Sequence, residues 1–117
     1  MRLLIVDDHE GVRRLIREMV AYLGAEIQEC ADGEEAVRVC GRFMPDFVIM
    51  DIQLPGIDGV ETTRRLMAEQ PRSRVIAISH SKHPEIEESA RRAGACYFVR
   101  KENLFDLARY LGRSVTP

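Results

Sequence analysis

Short apolar runs alternate with amphipathic segments along this chain. Continuous runs occupy residues 3–6, 47–50, 75–78 and 96–99, and a weaker one lies near residues 25–30. Runs of this length are typical of strands that are buried on both faces of a parallel sheet. The pattern therefore predicts five short strands.

The segments between these runs have helical periodicity. The first apolar stripe extends from Val12 to Leu23 and is followed by Gly24, a common C-cap residue. Asp32 followed by Glu35 resembles a capping box that opens a second helix. The predicted helices cover residues 12–23, 32–40, 59–69, 84–94 and a segment after residue 103.

Five strands alternating with five helices indicate an α/β fold. This order implies right-handed crossovers, with helices on both faces of one parallel sheet. With five strands we expect the flavodoxin-like, doubly wound (βα)5 arrangement, with strand order 2-1-3-4-5 and ligands bound beyond the carboxyl ends of the strands, at the switch point between strands 1 and 3. The length of 117 residues suits a single domain over residues 1–117.

Composition and charge exclude several classes of protein. The formal net charge of −2 argues against a nucleic-acid surface, and the arginine pairs at 13–14, 64–65 and 91–92 are interpreted as solvated helix faces. No apolar run approaches the roughly 20 residues that a membrane helix needs, so we expect a cytoplasmic protein. Three cysteines without metal-ligand spacing are expected to be reduced and half-buried: Cys30, Cys40 and Cys96.

Three aspartates follow two of the predicted strands. Asp7 and Asp8 close the first strand, and Asp51 closes the third. Because these strands are neighbours in the expected topology, their carboxylates should converge, and a hard cation with oxygen ligands would relieve the repulsion between them. Magnesium is the expected ion because it uses one or two carboxylates and shares its shell with phosphate. Taken singly, each aspartate is better explained as a turn or N-cap residue, and it is the three together that favour the cation site.

A hydroxyl and an ammonium group follow the remaining inner strands. Ser79 comes directly after the fourth apolar run, and Lys101 follows the fifth. Beside a carboxylate nucleophile, these two side chains would supply donors for phosphoryl oxygens. Each alone would be an ordinary loop residue, and their placement at successive strand ends favours a functional interpretation.

Four sequence segments and two single residues form an ordered signature along the chain. The segments are IVDDH at residues 5–9, MDIQLPGIDG at 50–59, IS at 78–79 and GA at 94–95, and the single residues are Phe98 and Lys101. Together they resemble receiver domains of two-component response regulators. The resemblance implies that a sensor histidine kinase or a phosphotransfer protein phosphorylates Asp51 in a magnesium-dependent reaction, and that this switches an output surface.

The resemblance also implies roles for individual residues. The implied magnesium ligands are Asp8, Asp51, the backbone carbonyl of Gln53 and, through the water shell of the metal, Asp7. Ser79 would bind the phosphoryl group, and Lys101 would pair with Asp51 or its phosphate. Phe98 occupies the aromatic switch position of the family and would fill the space that Ser79 vacates.

The chain departs from the common receiver pattern next to Lys101. Glu102 stands where many receivers have proline, and this residue, the DDH opening and Val12-Arg13 resemble the receivers of LuxR-like transcriptional regulators. No DNA-binding domain follows in this sequence, so the chain is expected to stand alone or to be the excised receiver of a longer regulator. Any DNA contact would need another domain, and homodimer formation on phosphorylation stays open.

The histidines receive separate interpretations. His80 and Tyr97 occupy positions at which the family usually has small residues, and His80 is expected at the rim of the phosphoryl pocket. There it should obstruct the water that hydrolyses the phosphoryl group, although a role as general base is an alternative. His9 and His83 are interpreted as loop residues without a metal-binding role.

Two other functional classes stay open. An aspartate-nucleophile phosphatase would use similar chemistry, but its usual D-x-D opening is absent because Asp7 and Asp8 are adjacent. A phosphate-independent interaction module is the second alternative, against which the acidic cluster, Ser79 and Lys101 argue. The chain is not expected to be an enzyme, since receiver chemistry acts on the protein itself and not on a released substrate.

Overall fold

A five-stranded parallel sheet forms the centre of the structure, a computed structural model that describes residues 1–115. The strands are β1 (Arg2–Val6), β2 (Glu26–Cys30), β3 (Phe47–Asp51), β4 (Arg74–Ser79) and β5 (Tyr97–Arg100). Their order is β2-β1-β3-β4-β5, and each neighbouring pair is parallel. The predicted flavodoxin-like topology is therefore confirmed.

Five α-helices connect and cover the strands. They are α1 (Glu10–Val20), α2 (Gly33–Phe43), α3 (Gly59–Glu69), α4 (Pro84–Ala93) and α5 (Phe105–Val115), with short 3-10 turns at Ala21–Leu23 and Lys101–Asn103. The first predicted helix is thus not α-helical throughout, because its last turn tightens to 3-10 geometry. Gly24 ends this turn in the left-handed region, with φ 66°, as expected of a C-cap residue.

The sheet separates two apolar layers. Alternate residues of β1 face opposite sides, so that Leu4 and Val6 belong to the layer under α2, α3 and α4, whereas Leu3 and Ile5 belong to the layer under α1 and α5. All five residues of β3 are buried, while the edge strand β2 alternates between exposed and less exposed positions. The central strands are therefore fixed on both faces, and their carboxyl ends are held in register.

The start of α3 packs tightly against the end of β3. The Asp58 carboxylate accepts a hydrogen bond of 2.9 Å from the backbone N–H of Glu61, and the N–H of Gly59 donates to the carbonyl of Ile52 at 3.0 Å. A Cβ at Gly59 would lie 2.1 Å from the carbonyl oxygen of Asp51. Only glycine therefore permits this approach, which fixes the backbone next to Asp51.

The cysteines are free, but their burial differs from the expectation. Cys30 and Cys40 are fully buried, and Cys96 is exposed. Burial raises the pKa of the Cys30 thiol to about 12. None of the described helices has the length and apolar character needed to cross a membrane.

Candidate functional site

Four buried polar side chains gather at the carboxyl edge of the sheet. Asp7 follows β1, Asp51 ends β3, Ser79 ends β4 and Lys101 follows β5, and all four residues are less than 9% exposed. Burial of charged groups is costly unless each is paired. The structure thus brings together side chains that the sequence predicts at separate strand ends.

Lys101 joins the two buried carboxylates. Its Nζ lies 2.7 Å from Oδ2 of Asp7 and 3.3 Å from Oδ2 of Asp51. The lysine side chain is only 4% exposed, so water screens these contacts little. One buried cation therefore holds the ends of β1 and β3 together.

Asp7 is oriented by the backbone that follows it. Its Oδ1 accepts a hydrogen bond of 2.8 Å from the N–H of His9. Its Oδ2 forms an ion pair with Lys101 and accepts no separate hydrogen bond from the described residues. Because an ionised carboxylate has about four lone-pair sites, Asp7 can also bind a metal cation beside the lysine. Asp8 lies beside it with a side chain that is 33% exposed.

The negative charge of Asp51 is only partly compensated by its neighbours. Its Oδ1 accepts a hydrogen bond of 2.9 Å from the N–H of Gln53. Burial raises the pKa of Asp51 above its usual value, the Gln53 N–H and the Lys101 ammonium oppose this rise, and the Asp7 carboxylate adds to it. The site thus contains more negative charge than Lys101 neutralises, a condition that favours a further cation.

Ser79 is hydrogen-bonded to the loop that follows β3. Its Oγ donates to Oε1 of Gln53 at 3.2 Å and accepts from the N–H of Ser81 at 2.9 Å. The sequence interpretation used only the backbone carbonyl of Gln53 and missed its side chain. Residue 53 therefore links the serine hydroxyl to the Asp51 loop.

Three further residues lie near or behind this edge. His80 is exposed directly after β4. Phe98 is half-buried and packs against the layer under α2, α3 and α4. His9, which was interpreted as an uninvolved loop residue, places its Nδ1 3.3 Å from Oδ1 of Asp8 and 3.5 Å from Oδ1 of Asp7. The sequence prediction thus missed the contact between this histidine and the acidic pair.

Arg13 supports the backbone of Asp7. Its guanidinium donates to the Asp7 carbonyl oxygen at 2.7 Å and to Oε1 of Glu29 at 3.0 Å, and Arg17 binds the other oxygen of Glu29 at 2.7 Å. The Arg13 side chain is only 17% exposed, so its interpretation as part of a solvated helix face was wrong. This arginine ties α1 and β2 to the candidate site.

The comparisons with known proteins agree with this geometry. Residues 3–110 match the family described as response regulator receiver domain. The transcriptional activator protein ExaE of Pseudomonas putida is 39% identical over 103 residues, which cover 86% of this chain and 48% of that protein. A protein-glutamate methylesterase/protein-glutamine glutaminase of Myxococcus xanthus is 40% identical over 105 residues, which cover 86% of this chain and 30% of that protein.

A solved structure of a response regulator also has the same fold as this chain. The crystal structure of a LuxR-family two-component response regulator from Aurantimonas sp. SI85-9A1 has a TM-score of 0.89 and 30% identity, and covers 97% of this chain and 83% of that chain. The chain spans about half the length of the first curated relatives it matches. The fold, the buried carboxylates with their lysine and these matches lead to one conclusion: the chain belongs to the response regulator receiver domain family.

Proposed function

We propose that Asp51 accepts a phosphoryl group from the phosphohistidine of a sensor kinase or phosphotransfer protein, in a magnesium-dependent reaction. The observation that carries this proposal is the buried Lys101, whose ammonium contacts both Asp7 and Asp51. A cation buried between two carboxylates at the switch point of a doubly wound sheet suits the binding of a doubly charged phosphoryl group. Receiver domains are phosphoryl-accepting regulatory modules, and we propose that this chain, too, turns over no released substrate.

The residues at this edge fit magnesium. The donor set is rich in carboxylate oxygen, and Oδ2 of Asp7 is buried without a hydrogen bond from the described residues. The residues that would hold the ion are Asp7, Asp8, Asp51 and the backbone carbonyl of Gln53. When bound, magnesium supplies positive charge that neutralises phosphoryl oxygens and orients them for in-line transfer.

Three side chains would then have separate chemical roles. A carboxylate oxygen of Asp51 attacks the phosphorus, the P–N bond of the donor breaks, and the electron pair of that bond leaves with the imidazole of the partner. Lys101 and the Ser79 hydroxyl bind the transferred oxygens, so Ser79 exchanges its bond to Gln53 for one to phosphate. Later, water attacks the phosphorus of the acyl phosphate, releasing inorganic phosphate and restoring the carboxylate.

The structural effect of phosphorylation would pass from Ser79 to Phe98. The movement of Ser79 toward the phosphate would open space beside β4, and Phe98, opposite Ala77 in the β4–β5 register, would turn into it. This changes the face formed by α4, β5 and α5. We propose that this face controls an output carried elsewhere, which in a longer regulator would be a DNA-binding domain, and that the exchange occurs in the cytoplasm. Dimer formation on phosphorylation would use the same change.

A small phosphodonor provides the direct test of this function. Incubation with acetyl phosphate and magnesium should add one phosphoryl group per chain, and a chelator should prevent it. Intact-protein mass spectrometry measures the added mass, and acid- and alkali-lability identifies an acyl phosphate. No labelling under these conditions would favour the phosphate-independent interaction module.

Replacement of His80 tests the predicted obstruction of water. An imidazole at the rim should narrow the path of the attacking water, so His80→Ala should shorten the phosphoryl lifetime. A tenfold change corresponds to about 1.4 kcal/mol in the barrier, which one misplaced water can account for. The lifetime is measured at saturating magnesium after removal of the donor. A longer lifetime in the variant would instead identify His80 as the general base.

Replacement of Phe98 separates a switch from a core residue. Because Phe98 is half-buried, Phe98→Ala should cost less than the roughly 3–5 kcal/mol of a fully buried phenylalanine. Labelling of Asp51 should persist, whereas the difference that beryllofluoride makes to amide exchange in α4 and β5 should disappear. Persistence of that difference in the variant would show that Phe98 is only part of the core.

A further inference from the structure

The peptide group that joins Asp7 to Asp8 is held by a side chain of α1. Nη1 of Arg13 donates a hydrogen bond of 2.7 Å to the carbonyl oxygen of Asp7. Asp7 lies just beyond β1, where its N–H still donates to the carbonyl of Cys30 at 3.1 Å. The sheet therefore fixes one side of this residue, and the guanidinium fixes the peptide group that follows it.

The Arg13 side chain is itself held on its other edge. Its Nε donates to Oε1 of Glu29 in β2 at 3.0 Å, and Arg17 binds Oε2 of the same carboxylate at 2.7 Å. Burial opposes ionisation of Glu29, but the hydrogen bonds from Arg17 and Arg13 hold the pKa of its carboxyl below the usual value. Glu29 is therefore a charged partner that keeps the guanidinium of Arg13 in one orientation.

The two arginines on Glu29 differ in their surroundings. The Arg13 side chain is 17% exposed and the Arg17 side chain 45%, and of these two it is Arg13 that also donates to Asp7. A hydrogen bond from a charged donor is stronger than one between neutral groups, and a carbonyl that loses its donor away from water is costly. Loss of Arg17 would remove only a half-exposed ion pair, which contributes little.

The orientation of this peptide group affects both aspartates. Its rotation would turn the backbone at Asp8, and it would loosen the hydrogen bond of 2.8 Å from the His9 N–H to Oδ1 of Asp7. Ligands that are already held in place bind an ion more tightly than mobile ones, because less conformational freedom is lost on binding. A fixed peptide group therefore arranges the two carboxylates before an ion or a phosphodonor arrives.

We propose that Arg13 is a positioning residue for phosphoryl transfer, which holds the Asp7–Asp8 peptide group in the orientation that the magnesium ligands require. The inference deepens the proposed function and rests on it for the roles of the two aspartates. Arg13 acts through the backbone of Asp7 and is not itself one of the proposed ligands. Without it, the bound ion has to impose the geometry, so its loss should lower magnesium affinity more than the maximal rate.

Arg13→Gln and Arg17→Gln form a matched pair of variants. Each removes one arginine from Glu29, and the first also removes the hydrogen bond to Asp7. Magnesium titrations followed by ¹H–¹⁵N spectra, without phosphodonor, should show at least tenfold weaker binding in Arg13→Gln and less than a twofold change in Arg17→Gln. At saturating magnesium, the maximal rate of labelling by acetyl phosphate should fall less than threefold in either variant. Arg13→Lys should behave like Arg13→Gln, since an ammonium does not reproduce the two-sided contact of a planar guanidinium.

A measurement without metal reports on the same peptide group. The His9 N–H is donated to Oδ1 of Asp7, so its exchange with solvent should be at least tenfold faster in Arg13→Gln than in the wild type or in Arg17→Gln. The N–H of Glu61 is likewise donated to an aspartate carboxylate, at the start of α3, and is the internal reference. Its exchange should stay unchanged, whereas a general loss of stability would accelerate exchange at both positions.

The contrary results are distinct from one another. Unchanged His9 exchange and magnesium affinity in Arg13→Gln would overturn the proposal. Equal losses in Arg17→Gln would assign the effect to the ion pairs of Glu29 and not to the contact with Asp7. Full recovery in Arg13→Lys would show that charge matters and orientation does not. A wild type that neither binds magnesium nor is labelled would refute the proposed function, while His9 exchange would still decide whether Arg13 holds the peptide group.

Discussion

Asp51→Asn is expected to abolish phosphorylation by acetyl phosphate, lowering labelling at least a hundredfold. The amide has no anionic oxygen to attack phosphorus, and it removes one carboxylate of the predicted magnesium set. The change is isosteric, and the hydrogen bond from the Gln53 N–H can be retained by the amide oxygen. Mass spectrometry of the intact chain, followed by peptide mapping, measures the labelling. Full labelling of this variant at another residue would refute the assignment.

The same variant should be more stable than the wild type at neutral pH. Burial raises the pKa of Asp51 in the folded protein above its value in the unfolded chain. The folded state is therefore favoured while Asp51 is protonated, and this stabilisation is lost as the pH rises through the pKa of the folded protein. Asparagine does not ionise, so the unfolding free energy of the variant should exceed that of the wild type by an amount that grows from acid to neutral pH. Urea unfolding with magnesium absent measures it. If the wild type were more stable than the variant at pH 7, the predicted direction of this difference would be wrong.

Gly59→Ala is expected to destabilise the fold by at least about 3 kcal/mol. The new methyl carbon would lie 2.1 Å from the carbonyl oxygen of Asp51 and 2.5 Å from Cα of Ile52. Both neighbours are backbone atoms of a buried segment, so no side-chain rotation relieves the overlap. Relaxation would require α3 to move away from β3 and would displace Asp51, and labelling should therefore fall as well.

Gly41→Ala provides the matched control. Gly41 is exposed in α2, and an added Cβ would meet no atom within 4 Å. Alanine is the better helix former, so this variant should gain up to about 1 kcal/mol and keep its labelling. Urea unfolding compares the two variants with the wild type. Equal stabilities for the two would show that α3 can shift without cost.

The hydrophobic pattern was sufficient to predict the sheet. The predicted strands agree with β1 to β5 to within one residue at each end. The agreement is simplest to explain for β1, β3 and β4, which are buried on both faces and are therefore almost continuously apolar. The same pattern could not show that the helix ends at Val20 and continues as a 3-10 turn. Leu23 extends the apolar stripe in either geometry, and periodicity does not distinguish the two.

The site was predictable where it follows from topology alone. Asp7, Asp51, Ser79 and Lys101 converge because the carboxyl ends of parallel strands share one edge. The contact of His9 with the aspartates depends on a local backbone turn, which no sequence periodicity encodes.

Two other contacts at the site also escaped prediction. The contact of Arg13 with the Asp7 carbonyl depends on the packing of α1 against β2. The close approach at Gly59 depends on the distance between an α-helix and a strand. Both are tertiary properties, which become visible only when the elements are assembled.

The cation that joins the two carboxylates comes from the far end of the chain. During synthesis Asp7 emerges first and Asp51 near the middle, while Lys101 emerges only after the last strand. A nascent chain that ends before β5 therefore carries the acidic residues without their counter-ion and leaves one edge of β4 unpaired. The site is thus completed only when β5 and Lys101 have been added, so the phosphoryl transfer proposed for Asp51 requires a chain made at least through Lys101.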